Sequence, residues 1–167
     1  VLLAEALPGT KILCLAFNKA IAEEMKSRLP SNCDSKTLHG LGFGVWQSFI
    51  GKRCKVDGRK DYFLLSRLVK SIEDREERDE AFELLAETLD ILRTAKQQGW
   101  LPQRMKGHWK PLLDDDTFFS GLPMEPTAVQ IELVRRVAEL SFRAALEGEI
   151  DFDDMIFCPA MCQVNWP

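Results

Sequence analysis

The stretch from residue 11 to 43 constrains the fold more than any other part of the chain. An apolar run at 12–17 predicts a buried strand, and the residues after it place apolar side chains along one face of a helix. A polar turn, a short extended piece ending at Thr37 and a second helix from about His39 come next. Strand, helix, strand and helix in so few residues predict a parallel α/β unit.

Polar residues fall at both strand-to-helix junctions of this unit. Phe17, Asn18 and Lys19 follow the first strand, and Thr37 and His39 end the second. The carboxyl ends of parallel strands lie at one sheet edge, where α/β proteins bind ligands. A ring, an amide and an ammonium group beside a helix N-terminus suit a phosphate with a stacked base. Short polar side chains at such places also cap helices, so the residues alone leave a ligand edge and ordinary capping equally open.

Composition limits the class of protein. The 167 residues are 46% apolar, which is enough for a sizeable core and excludes wholesale disorder. A net charge of −4 excludes a chain that is basic throughout but allows a local basic strip. Five cysteines without a C-x-x-C pair favour a reducing compartment, with Cys14 and Cys158 as buried apolar residues.

Neither a membrane span nor a signal peptide is apparent, so no membrane partner is expected. The chain has no initiator methionine and opens within a helical pattern. It is therefore expected to be a piece of a longer protein.

A basic loop at 51–60 marks the clearest change in composition. Beyond it the spacing of apolar residues predicts helices. One begins at Asp61, and a charged turn at 73–80 leads to another with its apolar face at 82–92.

The region 100–121 is expected to be irregular, with Arg104, Lys106 and Lys110 as solvated side chains. Thr127 and Gln130 fit a capping box at the start of the next helix. The last element is expected to be a short helix that Asp151 caps and Pro159 kinks or ends.

The chain contains no complete nucleotide site by motif. It lacks the G-x-x-x-x-G-K-[ST] spacing of a phosphate loop, and Gly40, Gly42 and Gly44 miss the dinucleotide spacing. We interpret these glycines as positions of close helix packing. No nucleophile or catalytic base is predicted.

Two possible metal sites are disfavoured. Asp151, Asp153 and Asp154 could form a carboxylate group, but a helix cap followed by acidic first-turn residues is the preferred interpretation. Cys158 and Cys162 with His108 lack the fourth ligand and the spacing of a zinc site.

Three segments carry a resemblance to a known family. ILCLAFNKAIAEEMKSRL at 12–29 closely resembles motif Ia of the UvrD/Rep-type superfamily 1 DNA helicases, and TLHGLGF at 37–43 resembles their motif Ib. IDFDDMIF at 150–157 resembles the D-F-D-D-[LM] segment that lies shortly before their Walker B strand. Phe17 directly precedes Asn18, a variant that resembles the branch with phage and F-box-type members.

The resemblance implies an α/β fold, namely a partial parallel-sheet P-loop NTPase (RecA-like) motor domain with an inserted α-helical subdomain. Residues 1–50 are then part of motor domain 1A, 51–147 form a helical 1B-like subdomain, and 148–167 return to 1A. Walker A and Walker B are expected beyond both ends. ATP and Mg²⁺ are thus implied for the parent protein and for no residue of this chain, which by itself is expected to hydrolyse no ATP.

Carried over residue by residue, the resemblance implies that Phe17, Asn18, Lys19, Thr37 and His39 contact single-stranded DNA. Phe17 would stack on a base, Lys19 would supply charge to a phosphate, and Thr37 and His39 would form hydrogen bonds with the DNA backbone. The implied function is the DNA track of an ATP-dependent helicase or translocase that moves 3′ to 5′.

The implied partners are single-stranded DNA or a single-strand/duplex junction and the rest of the motor, in a cytoplasmic or nucleoid-associated protein. Two other functions stay open. The chain could be a non-enzymatic module that binds single-stranded DNA or protein and derives from a helicase without its ATP site. It could also be a structural α/β domain whose motifs are only ancestral.

Overall fold

The computed structural model describes residues 2–102, 109 and 111–166. These residues form two compact units, one up to residue 44 and one from residue 45 onward. The predicted division at 1–50, 51–147 and 148–167 stays a prediction. Each unit contains a short parallel sheet.

The first unit alternates helices and strands. Its elements in chain order are α1 (Leu2–Ala6), β1 (Ile12–Ala16), α2 (Lys19–Arg28), β2 (Cys33–Thr37) and the start of α3 (Leu38–Ile50).

β1 and β2 pair in parallel over their whole length, with Ile12 opposite Cys33 and Ala16 opposite Thr37. The strand predicted at 12–17 is therefore present, but it is half-buried rather than buried, and Leu15 is 51% exposed. Among the described residues β1 has a strand neighbour on one side alone, which leaves part of its apolar surface uncovered.

The side chain of Asn32 connects the segment before β1 to the start of β2, a role that no sequence pattern indicated. Its side-chain nitrogen lies 3.0 Å from the carbonyl oxygens of Ala4 and Leu7 and 3.1 Å from that of Thr10. The amide therefore ties the turn before β1 to the residue that precedes β2.

The second unit is mostly helical. Its elements are the end of α3, then β3 (Lys55–Val56), α4 (Lys60–Lys70), α5 (Arg75–Glu83), α6 (Leu85–Gln98), α7 (Asp115–Ser120), α8 (Ala128–Leu146), β4 (Glu149–Ile150) and α9 (Asp154–Met161).

α8 is the central helix of this unit and packs against α4 and α6. Its apolar stripe, including Leu133, Val134 and Val137, is buried in the same core as Leu65 and Leu92. Trp100 and Phe118 close one end of that core, with stacked rings whose centroids are 4.8 Å apart.

Two of the expectations for this region are wrong. The residues at 51–60 are not wholly an exposed loop, since β3 pairs with β4 there and Lys60 is only 5% exposed. The charged segment at 73–80 is largely helical, because Asp74 caps α5 by accepting a hydrogen bond from the Glu77 amide at 2.9 Å. The apolar positions 82–92 consequently belong to two helices.

Two further corrections concern the end of the chain. The region 100–121 contains α7, which Asp114 caps through the Thr117 amide at 2.7 Å. Pro159 lies inside α9 without ending it, since the missing N–H removes one bond near the last turn and the Cys162 amide still bonds the Cys158 carbonyl at 3.1 Å. The alternative that Pro159 kinks the helix stays a prediction. The solvated side chains predicted at Arg104, Lys106 and Lys110 lie outside the described residues.

The fold is mixed α/β with mostly helices and small two-stranded parallel sheets. Over the described part of the chain, none of the helices has both the length and the apolar character that crossing a membrane requires.

The predicted capping box at α8 is confirmed. The Thr127 hydroxyl accepts from the Gln130 amide at 3.2 Å, and the Gln130 side chain accepts from the Thr127 amide at 3.0 Å. Thr127→Ala should lower the free energy of unfolding by about 1 kcal/mol in urea titrations, because both first-turn bonds lose geometry. Thr127→Ser, which keeps the hydroxyl, should unfold close to wild type. Equal losses for both variants would contradict the capping account.

Candidate functional site

The two strand ends lie at the same edge of the sheet. Ala16 and Thr37 are the last paired residues of β1 and β2, and the strands run in the same direction. Residues 17–19 and 38–39 therefore leave the sheet at adjacent places, each leading directly into a helix. The register brings together the two junctions that the sequence singled out.

Phe17 is the most exposed large apolar side chain among the described residues, at 95% of its possible area. It directly follows Ala16, which is 7% exposed. The chain thus turns from a covered position to one that presents a whole aromatic ring to water. Isolated apolar side chains on a surface are common, but a fully presented phenyl ring is available for stacking.

Asn18 caps the helix that follows. Its Oδ1 accepts from the Ile21 amide at 2.9 Å, and its backbone is extended, as an N-cap requires. The capping interpretation is confirmed for this residue, and its side-chain oxygen is occupied by the hydrogen bond to the helix.

Lys19 projects into solvent. Its side chain is 87% exposed and forms one ion pair, with Glu23 one turn along α2 at 3.6 Å. Such surface pairs contribute little to stability. The ammonium group can therefore exchange this partner for a phosphate with little loss.

At the second junction, too, one residue caps a helix and another is exposed to solvent. The Thr37 hydroxyl accepts from the Gly40 amide at 3.0 Å and so caps α3. His39 is exposed two residues further along. The two open interpretations of the edge thus divide by residue: Asn18 and Thr37 cap helices, while Phe17, Lys19 and His39 face solvent.

The acidic segment near the end of the chain caps a turn, as one of its two interpretations expected, and it also forms buried ion pairs. Asp151 and Asp154 belong to a buried ion cluster with Lys60, Lys96 and Asp61. We call these five residues the ion cluster. It joins α4, α6, α8 and the start of α9 within the second unit.

Lys96 is the centre of the ion cluster. Its Nζ lies 2.5 Å from Asp151 Oδ2, 2.6 Å from Asp61 Oδ2 and 2.9 Å from Asp154 Oδ1. Burial alone would lower the pKa of Lys96, but the three carboxylates outweigh this effect and raise it well above the usual value. Lys96 is thus a permanent buried cation.

Lys60 supplies the second positive charge. Its ammonium group is paired with Asp154 and donates to the Ser141 carbonyl at 3.1 Å. The Ser141 hydroxyl in turn donates to Asp61 Oδ1 at 2.6 Å. With three carboxylates and two ammonium groups, the ion cluster has a formal charge of −1, and burial raises the pKa of Asp61.

Asp151 and Asp154 also bond each other's backbone. The Asp154 amide donates to Asp151 Oδ1 and the Asp151 amide donates to Asp154 Oδ2, both at 2.9 Å. Asp151 therefore does cap the turn into α9, as expected. Asp153 points elsewhere, and burial raises its pKa.

Metal binding finds no support in the geometry of the described residues. No group of three or more histidine, cysteine, aspartate and glutamate side chains there is arranged to hold an ion. Burial raises the pKa of the Cys162 thiol to about 11 and that of Cys158 well above its usual value. His108, the third residue of the disfavoured zinc set, lies outside the described part.

Sequence reasoning missed the two lysines of the ion cluster, although a signal was present. Lys96 follows Leu89 and Leu92 at helical spacing, and Lys60 precedes Leu64 and Leu68 in the same way. A lysine on an apolar stripe needs a carboxylate partner.

Comparison with known proteins gives one short similarity. No protein-family profile matches the chain. Over 42 residues, 25% of its length, the chain is 45% identical to F-box DNA helicase protein 1 of Schizosaccharomyces pombe. The match spans 5% of that protein. The chain is therefore locally similar to a DNA helicase.

The pKa shifts in the ion cluster predict acid sensitivity of the second unit. Burial alone would raise the pKa of Asp151, but Lys96 and Lys60 outweigh it and lower the pKa from 3.8 to about 2. Its contribution is present above about pH 4 and lost as the pH falls towards 2. Asp61, with its raised pKa, acts in the opposite direction but less strongly.

Urea unfolding between pH 5 and pH 2 should therefore show a loss of about 2 kcal/mol that depends on Asp151. Asp151→Asn should unfold more easily at neutral pH and show a flatter acid profile. Asp79→Asn, at an exposed ion pair on α5, should retain the wild-type slope. Parallel profiles for wild type and Asp151→Asn would refute the assigned shift.

Proposed function

We propose that the chain is the DNA-track segment of an ATP-dependent DNA helicase or translocase of the UvrD/Rep type, and that the edge formed by residues 17–19 and 37–39 contacts single-stranded DNA. The observation that carries this proposal is the fully presented Phe17 ring beside a second junction at the same sheet edge. The local similarity to a DNA helicase supports the same class.

The residue types suit a single strand rather than a duplex. A solvent-facing ring offers a stacking surface that accepts any base, as sequence-tolerant single-strand binding requires. Lys19 adds a cation one helix position from the cap, where the first-turn amides of α2 also favour negative charge. His39 adds a second polar group beside the neighbouring strand.

The whole-protein activity extends this proposal. By the resemblance, ATP with Mg²⁺ would close two motor domains, and each closure would advance the strand in the 3′ to 5′ direction. This chain would hold the DNA between closures through stacking and phosphate contacts. Asn18 and Thr37 then act as positioning residues, since their caps fix where α2 and α3 begin relative to the strand ends.

Phe17→Ala should weaken binding of a single-stranded oligothymidylate by about 1–3 kcal/mol, the usual value of one base stack. Fluorescence anisotropy with a labelled strand measures the affinity. Phe82→Ala is the matched control, because Phe82 is an exposed aromatic residue on α5 and should bind like wild type. Equal affinities for Phe17→Ala and wild type would end the proposal for this edge.

Lys19→Gln should change the salt dependence of binding more than the affinity at high salt. Loss of one phosphate contact reduces the slope of log K against log salt by about 0.7 for a single strand. Lys26→Gln, an exposed lysine of the same helix that pairs with Asp34 at 3.6 Å, should keep the wild-type slope. An unchanged slope in Lys19→Gln would contradict a contact between Lys19 and a DNA phosphate.

A further inference from the structure

A cavity of about 450 Å³ lies on the surface of the second unit, and none of its lining residues belongs to the DNA edge. It is lined by β3, the turn that follows, α4 and one residue of β4. Its lining includes Lys55, Asp57, Phe63, Arg67, Lys70 and Glu149. Its volume falls within the roughly 300–1,000 Å³ typical of small-ligand sites.

Three of the lining cations are available to a ligand. Lys55, Arg67 and Lys70 are exposed, and no described carboxylate pairs with them. Lys60 is different, because its ammonium group is committed to Asp154 in the ion cluster. Arg67 and Lys70 lie three residues apart on α4 and thus on one face of the helix. Such a pair suits the oxygens of a phosphate.

The cavity also contains an aromatic surface. The Phe63 ring lines it and is 44% exposed. The guanidinium carbon of Arg59 lies 5.1 Å from the ring centroid, a cation–π arrangement. Because Arg59 lies over one face of the ring, a nucleic-acid base would stack on the other face.

Two carboxylates argue against a bare anion as the ligand. Asp57 and Glu149 line the same cavity, and Asp57 accepts from the Arg59 amide at 2.9 Å. These groups would repel inorganic phosphate, but they can accept from the amino groups of a base or the hydroxyl of a sugar. The mixture of cations, carboxylates and a ring therefore fits a nucleotide better than phosphate alone.

Ser66 is an independent sign of an unfilled polar requirement. Its hydroxyl is buried and has no hydrogen-bond partner among the described residues, although a helical serine can usually bond the carbonyl one turn back. Ser66 is among the residues that line the cavity.

We propose that this cavity binds one nucleotide, with its base on Phe63 and its phosphate between Arg67 and Lys70. The residues themselves identify the nucleoside phosphate chemistry. That the nucleotide is part of a single strand, rather than free, rests on the proposed function. The site adds a second nucleic-acid contact that depends on none of the residues at the β1/β2 edge.

Photocrosslinking of the full chain tests this site without any substitution. A single-stranded oligonucleotide that carries iododeoxyuridine is irradiated with the protein, and labelled tryptic peptides are identified by mass spectrometry. The peptide 61–67 contains Phe63, and the peptide 12–19 contains Phe17, so the two sites are read separately. We expect label on 61–67, assigned to Phe63 by fragmentation.

Each outcome decides something. Label on 12–19 without 61–67 overturns the cavity and leaves the edge proposal standing. Label on 61–67 without 12–19 supports the cavity and contradicts the edge. Label on neither overturns both. Free iododeoxyuridine monophosphate is the second probe. If it labels 61–67 as strongly as the oligonucleotide does, the cavity binds a nucleotide, but the proposal that this nucleotide belongs to a single strand is contradicted.

Affinity measurements give a second test with a matched control. Phe63→Ala should weaken binding of the labelled strand at least about fivefold, the lower end of what one lost base stack costs. Lys70→Gln should weaken binding most at low salt. Phe82→Ala removes a ring that is 43% exposed, nearly the same as Phe63, and should leave binding unchanged. Equal affinities for Phe63→Ala and Phe82→Ala would overturn the proposal.

Discussion

The second unit depends on charges that are buried in its interior. Lys96 is 6% exposed and pairs with three carboxylates, one at the start of α4 and two in the turn into α9. An unpaired ammonium or carboxylate at such a place would be strongly destabilising, so each group requires the others. These ion pairs hold the end of α6 and the start of α4 against the turn into α9. Apolar packing in the core fills the space around α8, and the ion cluster connects the ends of the helices that meet there.

The ion cluster explains why the segment at 150–157 is acidic. Asp151 and Asp154 hold two lysines and each other's backbone, while Phe152 between them is 60% exposed. The two aspartates are three residues apart, so each can accept a hydrogen bond from the other's backbone amide while both side chains stay buried. A segment of this kind closes the helical unit. Its resemblance to a helicase segment and its structural role in this chain are therefore compatible.

Local signals predicted much of the fold. The strand–helix alternation, the Asn18 cap and the Thr127 capping box all follow from short-range chemistry. The two-residue strands β3 and β4 could not be predicted, because they form by pairing across a long sequence separation. The same holds for Lys60, which looked like part of a basic loop until its distant carboxylate partner was known.

The candidate site divides in the same way. Sequence reasoning found the two junctions but could not decide between capping and contact, since that depends on which atoms each side chain reaches. NMR chemical-shift mapping with a single-stranded oligonucleotide tests the central claim most directly. The account predicts that the amide signals of residues 17–19 and 37–39 move on titration, while those of Leu133 and Val137 in the core stay in place. Unchanged signals at both junctions under saturating oligonucleotide would contradict it.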